Sequence, residues 1–245
     1  MSEVETSPRF ASSVVVPGEE AACPVDVVLT LDRGETSRLL RRMRGHRVLP
    51  ALSHPWGSPW AYLALLRRPD GMVLLDVPDG AVRDEIERRV RVLSGLSSVV
   101  VLAPRSVDAA AVLRAGAVNV MARDAPSGEL ACRIAAERRW LEFSAPCRGP
   151  RTPGLPHPLV RPRQVSQRVL LEILCATTRP WCCHDLCLLL GTCGEPVSRR
   201  ALQARVVRLG ARLERHGISI GVLPGWGRTV YTGIRGITPH RTRSR

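Results

Sequence analysis

The sequence predicts an α/β chain in two parts: a doubly wound, five-stranded parallel sheet, then a smaller α+β domain. Three observations carry this reading. Short, uniformly apolar runs alternate five times with helical segments between residues 25 and 142, the pattern of a parallel sheet covered on both faces. A proline-rich stretch then interrupts the chain. Beyond it come three helical segments and a hairpin pattern, with no further strand–helix alternation.

The elements follow in order. "VDVVLTLD" (25–32) reads as a short buried strand, and "ETSRLLRRMRGH" (35–46) as a helix with Leu39, Leu40 and Met43 on its apolar face. "RVLPAL" (47–52) is a weaker strand and "SPWAYLALLRR" (58–68) a helix. "GMVLLD" (71–76) and "SSVVVLAP" (97–104) are strands around the helix "AVRDEIERRVRVLSG" (81–95). "SVDAAAVLRAGA" (106–117) is a helix, "VNVMAR" (118–123) a strand, and "SGELACRIAAERRWLE" (127–142) the last helix of this part. Residues 1–22, rich in Ser, Glu and Pro, read as a loose tail, and 23–143 as the α/β domain.

Residues 144–163, with six prolines and two glycines, cannot form a regular element and read as a semi-extended linker. Residues 164–235 form the second domain, and 236–245 a basic tail. "VSQRVLLEILCATT" (165–178) and "WCCHDLCLLLG" (181–191) read as helices. "PVSRRALQARVVRLGARLERHG" (196–217) is a third, with Pro at its start and Gly at its end. Leu202, Val206, Leu209 and Leu213 mark its core stripe; Arg199, Arg200, Gln203, Arg205, Arg208, Arg212 and Arg215 occupy the rest. "ISIGVLPGWGRTVYTG" (218–233) reads as a hairpin, so this half has the parts of a winged helix-turn-helix.

Charge divides the chain at the linker. Residues 1–143 hold 19 arginines against 18 acids, while 144–245 hold 17 arginines against only four. The second half is therefore expected to meet a polyanion, with double-stranded DNA the leading candidate. A membrane surface fits less well, because no strongly amphipathic anchor is present. The chain contains no Lys. With 44% apolar residues it can bury a core. No apolar run approaches the roughly 20 residues of a membrane span, and "MSEVETSPRF" is polar rather than a leader. These features point to the cytoplasm. The eight cysteines are then expected as thiols rather than disulfides.

Taken together, the order of parts resembles bacterial response regulators of the OmpR/PhoB type, over roughly residues 24–234. These have a flavodoxin-like receiver domain, a linker and a C-terminal winged helix-turn-helix. "LTLDRGETSRLL" is similar to the first receiver strand with its acidic turn, and "PDGMVLLDVPDG" to the strand carrying the phosphoacceptor. "LRAGAVNVMARDAPSGELACRI" is similar to the family's fourth helix through fifth helix, "RALQARVVRLGARL" to its recognition helix, and "LPGWGRTVYTG" to its wing. The resemblance puts Asp76 at the phosphoacceptor position and Asp32, Ala103 and Arg123 around the receiver pocket.

The pattern departs from the family where phosphorylation needs it. The acid pair is reduced to Leu31-Asp32, the hydroxyl position holds Ala103, the Lys position holds Arg123, and Asp124 replaces the usual Pro. Phosphoryl transfer to Asp needs Mg²⁺ held by several oxygens and a cation on the phosphoryl group. Arg is not a neutral replacement for Lys. The resemblance thus implies an atypical receiver that is not switched by ordinary Asp76 phosphorylation, with no resident cofactor and a weakened Mg²⁺ site. Alternatives are a conventional regulator with a cognate sensor kinase, or gating by a small molecule, a metal or redox state. The family's dimer face corresponds to residues 105–142, so a homodimer is expected. RNA polymerase is a further partner, membrane is not, and orphan regulators of this kind often serve secondary metabolism.

For DNA, Arg199, Arg200, Gln203, Arg205, Arg208 and Arg212 are the expected contacts on the helix, with Arg228 in the wing. Long donor side chains read base edges and phosphates. Cys183, His184 and Cys187 are the weak metal candidates: Cys183 and Cys187 lie one helical turn apart, and the spacing matches no standard zinc finger. Core packing is the preferred reading of these residues, since buried free Cys is a common small core residue, with metal binding or redox sensing as the alternatives. Trp56 and Trp60 flank the second helix, either as packing residues or around a small-molecule pocket. His46 and His54 have no catalytic partner in the sequence, and no P-loop, dinucleotide fingerprint or nucleophile–base set is present. The chain is not expected to be an enzyme.

Overall fold

The computed structural model describes residues 23–68, 70–144, 162–177, 179–225 and 228–236. The N-terminal tail, most of the proline-rich linker and nearly all of the basic C-terminal tail therefore lie outside the described residues.

The first half is an α/β unit. Its strands are β1 (Val27–Thr30), β2 (Ser53–Pro55), β3 (Met72–Asp76), β4 (Ser98–Ala103) and β5 (Asn119–Ala122). They form one five-stranded sheet in the order β2-β1-β3-β4-β5, every pair parallel. The helices are α1 (Arg33–Met43), α2 (Pro59–Leu66), α3 (Arg83–Leu93), α4 (Ala109–Arg114) and α5 (Ser127–Ser144). Alternate strand residues point to opposite faces, and the sequence uses both. Val27, Leu29, Val73, Leu75, Val99 and Val101 enter the core beneath α2 and α3. Val28, Met72, Leu74, Val100 and Leu102 enter the core beneath α1 and α5. The continuous apolar runs are thus two interleaved half-patterns, as expected for strands buried on both sides.

The second half comprises α6 (Val165–Ala176), β6 (Trp181–Cys182), α7 (Cys183–Leu189), α8 (Arg199–Glu214), β7 (Ile218–Gly225) and β8 (Arg228–Gly236). Its antiparallel sheet has the order β6-β8-β7. Helix α8 begins where Ser198 accepts a hydrogen bond from the Ala201 amide at 3.2 Å, a standard N-cap.

Two elements differ from the sequence reading. The second strand is Ser53–Pro55 instead of 47–52. Pro50 interrupts the earlier run and cannot donate to a ladder, while His54 and its neighbours pair with Val28–Thr30. The segment 181–191 is also not one helix. Trp181 and Cys182 are extended and pair with Tyr231 and Val230 before α7 begins. Trp181 is fully buried there; the cross-strand partner, invisible in the local pattern, decides its backbone.

The two halves share one apolar core. Helix α2 packs on α6 and α3 on α7, and the cluster under α2 and α3 continues through Val169, Leu170, Ile173, Leu186 and Leu189. Polar bonds stitch the seam. Trp56 Nε1 donates to the Leu188 carbonyl at 2.9 Å, Arg89 Nη2 to the Cys193 carbonyl at 2.5 Å, and the Cys193 thiol to the Leu31 carbonyl at 3.2 Å. Gly57, at φ +82°, lies so close to Gly191 that a Cβ there would sit 1.8 Å from the Gly191 oxygen. Trp56 is therefore a seam residue, buried under the Arg89 guanidinium at 4.9 Å, and not half of a tryptophan-lined pocket; Trp60 is 65% exposed.

Candidate functional site

The strand order reverses between β1 and β3, and such switch points open a crevice at the C-terminal ends of the strands. Asp76 is the last residue of β3, in register with Thr30 at the end of β1. It is a buried acid. Arg123 reaches it from just beyond β5: Nε donates to Asp76 Oδ1 at 2.7 Å and Nη2 to Oδ2 at 3.3 Å. The remaining terminal nitrogen, Nη1, donates to Glu35 Oε2 at 2.7 Å. Such fork-on-carboxylate geometry is the strong form of an ion pair.

The other side of Asp76 is held by hydroxyls. Thr36 donates to Asp76 Oδ2, and the Thr30 and Thr36 oxygens lie 2.5 Å apart. The Thr36 hydroxyl has one proton, so once it serves the carboxylate, Thr30 donates to Thr36 or to the Asp32 carbonyl. Both carboxylate oxygens are thus occupied. Burial alone would lower the Arg123 pKa; the hydrogen bond and charge of Asp76, then Glu35 and Asp79, more than offset that and hold it above its ordinary value. The guanidinium stays charged.

Around this ion pair the positions expected to line a receiver pocket behave differently. Asp32 is exposed and caps α1, its Oδ1 accepting from the Glu35 amide at 3.0 Å. Ala103 is buried and offers its carbonyl to the Arg123 amide at 2.9 Å. Asp124 pairs with Arg105 at 3.0 Å. Beside the pair opens a cavity of about 490 Å³ whose walls include Glu35, Arg38, Arg42, Asp79 and Arg123. Thr30, Thr36 and Glu35 are the site residues that sequence reasoning missed. The available signal was Thr36 at the fourth position after the capping Asp32, on the inner face of α1.

The basic residues of the second half gather on α8. Leu202, Val206, Leu209 and Leu213 are its buried positions, against α6, α7 and β7. Arg200, Gln203 and Arg208 are exposed; Arg205 and Arg212 are half-buried at its flank. Val207 is exposed between them, at 63%. The β7–β8 hairpin projects with Val222, Leu223 and Arg228 exposed. Arg199, at the start of α8, lies with Nη2 on the Nε2 atom of His184.

The thiols near His184 are Cys182 and Cys183, with Sγ atoms 3.4 and 3.8 Å from Nδ1. These three donors lie within 4.8 Å of one another, and Cys187 stands outside the group. Cys187 is instead a buried core residue whose thiol is pushed up, chiefly by burial. His46 meets Ser127 at 3.2 Å and His54 meets Ser58 at 3.5 Å; neither joins a catalytic set. Among the described residues, no helix is long and apolar enough to cross a membrane. No protein-family model matches the chain, and no curated protein is significantly similar to it.

Proposed function

We propose that this protein is a cytoplasmic, DNA-binding transcriptional regulator: an atypical receiver domain joined to a winged helix-turn-helix. The observation that carries the proposal is α8. Its leucines face inward and an arginine–glutamine face is turned away from everything it packs against. The order helix, short strand, two helices, hairpin, with the short strand β6 paired to β8, suits the same reading. A winged module uses its third helix in the major groove and its hairpin beside it. Arg200, Gln203 and Arg208 are the candidates for base edges, Arg205, Arg212 and Arg228 for phosphates.

In this reading Asp76 is not a phosphorylation switch. Arg123 and Thr36 occupy both its oxygens, Ala103 supplies no hydroxyl, and Asp32 is spent on a helix cap. The Asp76–Arg123 pair acts as a built-in substitute for the neutralised, activated pocket. Pairing of two receivers through α4, β5 and α5 is supported by the exposed Leu113 and Phe143 on that side. Input comes from a partner or ligand, and no catalytic role is assigned.

The test is binding of the full chain to fluorescent duplex DNA across a salt series. A module making about six phosphate contacts loses on the order of 10³ in affinity between about 50 and 200 mM salt. Arg200→Ala/Arg208→Ala weakens binding at least about tenfold without lowering stability. Salt-independent binding, or an unaffected double variant, sinks the proposal. Acetyl phosphate with Mg²⁺ leaves the intact mass unchanged; a phosphoryl adduct lost in Asp76→Asn reinstates the conventional switch.

A further inference from the structure

We propose that Cys182, Cys183 and His184 form a binding site for a thiophilic d¹⁰ metal ion, Zn²⁺ or Cu⁺, and that occupancy releases Arg199 from His184 toward DNA. The first part stands on donor geometry; the second rests on the DNA-binding reading above.

The site exists because of a change in backbone. Neighbouring residues on a strand point to opposite faces, so three consecutive donors do not normally converge. Here Cys182 is extended, at φ −70° and ψ 144°, and Cys183 opens α7. That strand-to-helix turn swings the donors together. With metal–sulfur and metal–nitrogen bonds of about 2.3 and 2.05 Å, a tetrahedral angle separates S and N by about 3.6 Å. The observed separations are 3.4 and 3.8 Å. Two thiolates and one imidazole are a soft donor set that selects Zn²⁺ or Cu⁺ over Mg²⁺ or Ca²⁺. They complete a trigonal Cu⁺ shell, or leave Zn²⁺ one position for water.

The coupling follows from counting protons. Arg donates and never accepts, so His184 Nε2, which meets Arg199, must accept. The neutral ring then carries its proton on Nδ1, toward the two sulfurs. A metal ion needs the Nδ1 lone pair. The single ring proton therefore relocates through water to Nε2, and both thiols release their protons to solvent; no electrons are transferred. Nε2–H now faces the guanidinium N–H groups, donor against donor, with the cation's charge added. Arg199, the exposed first residue of α8, is expelled and becomes available for a phosphate.

Full-length protein is kept reduced and metal-free, then titrated with Co²⁺. Thiolate-to-cobalt charge-transfer bands appear and are abolished by Zn²⁺, while competition with a chromophoric Cu⁺ chelator measures Cu⁺ and decides between the two ions. Cys183 is buried, so Cys182→Ser and His184→Gln carry the test. Each weakens binding at least about 100-fold, since even outer-shell partners are worth about 10- to 100-fold. Exposed Cys132→Ser leaves it unchanged. Long-range ¹H–¹⁵N spectra show the His184 proton moving from Nδ1 to Nε2 on loading. Metal raises DNA affinity about fivefold or more in wild type and not in Arg199→Ala. Absent cobalt bands, or bands unaltered in Cys182→Ser, overturn the site; a ring proton that stays on Nδ1, or an equal metal response in Arg199→Ala, overturns the switch. Failure of both metal-free and loaded protein to bind DNA refutes the regulator reading and leaves the cobalt result to judge the site.

Discussion

The two faces of the parallel sheet bury equally apolar side chains and close in different ways. Under α1 and α5, the core of Val28, Leu74, Val100 and Leu102 is completed by Leu39, Met43, Leu130 and Ile134 from the same half. Under α2 and α3, the core of Leu29, Leu75 and Val101 runs on into α6, α7 and α8. One face is closed within the first half; the other is shared by both halves. A helix layer that is itself sandwiched must be apolar on two sides. Helix α2, "PWAYLALL", meets this with Ala61, Tyr62, Leu63 and Leu65 all buried, whereas α1 and α5 keep a solvent side. The consequence is mechanical: α2 packs on α6 and α3 on α7, so a shift of α2 or α3 bears directly on the basic half.

The sharpest way to break this difference is Gly57→Ala. A side chain at φ +82° is strained, and its Cβ meets the Gly191 carbonyl, a backbone group and not the end of a flexible side chain. The expected loss is about 4 kcal/mol or more, and urea unfolding splits into two transitions as the halves part. Trp56→Ala costs about 3–5 kcal/mol and divides the transition in the same way; Leu39→Ala, on the other face, costs about 2–5 kcal/mol within a single transition. Coincident transitions for all three variants, followed by circular dichroism and tryptophan fluorescence, would abolish the distinction.

Between the faces, at the sheet's edge, Arg123→Met leaves the Asp76 carboxylate buried without its cation and costs about 3–5 kcal/mol. Asp76→Asn/Arg123→Met recovers most of that loss, since removing both charges removes the unpaired one. Two small effects set the baseline. Asp32→Ala loses the α1 cap, about 1 kcal/mol. Trp60→Ala, on the exposed side of α2, stays within about 0.5 kcal/mol, in contrast to its neighbour Trp56. Thermal melts of these four variants beside wild type rank them.

Much of the site's raw material was legible. Asp76 at the end of an apolar run and Arg123 at the end of the last strand are local signals, as is the leucine stripe of α8. The hydroxyl pair Thr30 and Thr36 was not, because a Thr six residues from another reads as neither strand nor helix signal. Cys182 was missed for a related reason. Read as helix, residues 181–191 place Cys183 and Cys187 together; only the pairing of Trp181 and Cys182 with β8 breaks that helix and delivers Cys182 to His184.

The sequence by itself determined most element types, β6 excepted, their order and the uneven charge of the two halves, because periods of two and 3.6 and the effect of proline are properties of neighbouring residues. Tertiary structure alone decided who meets whom: Asp76 with Arg123, Trp56 with Leu188, Arg89 with Cys193. Those partners stand 47, 132 and 104 residues apart. Their meeting depends on strand order and on which helix faces share a core, and no local pattern carries that information.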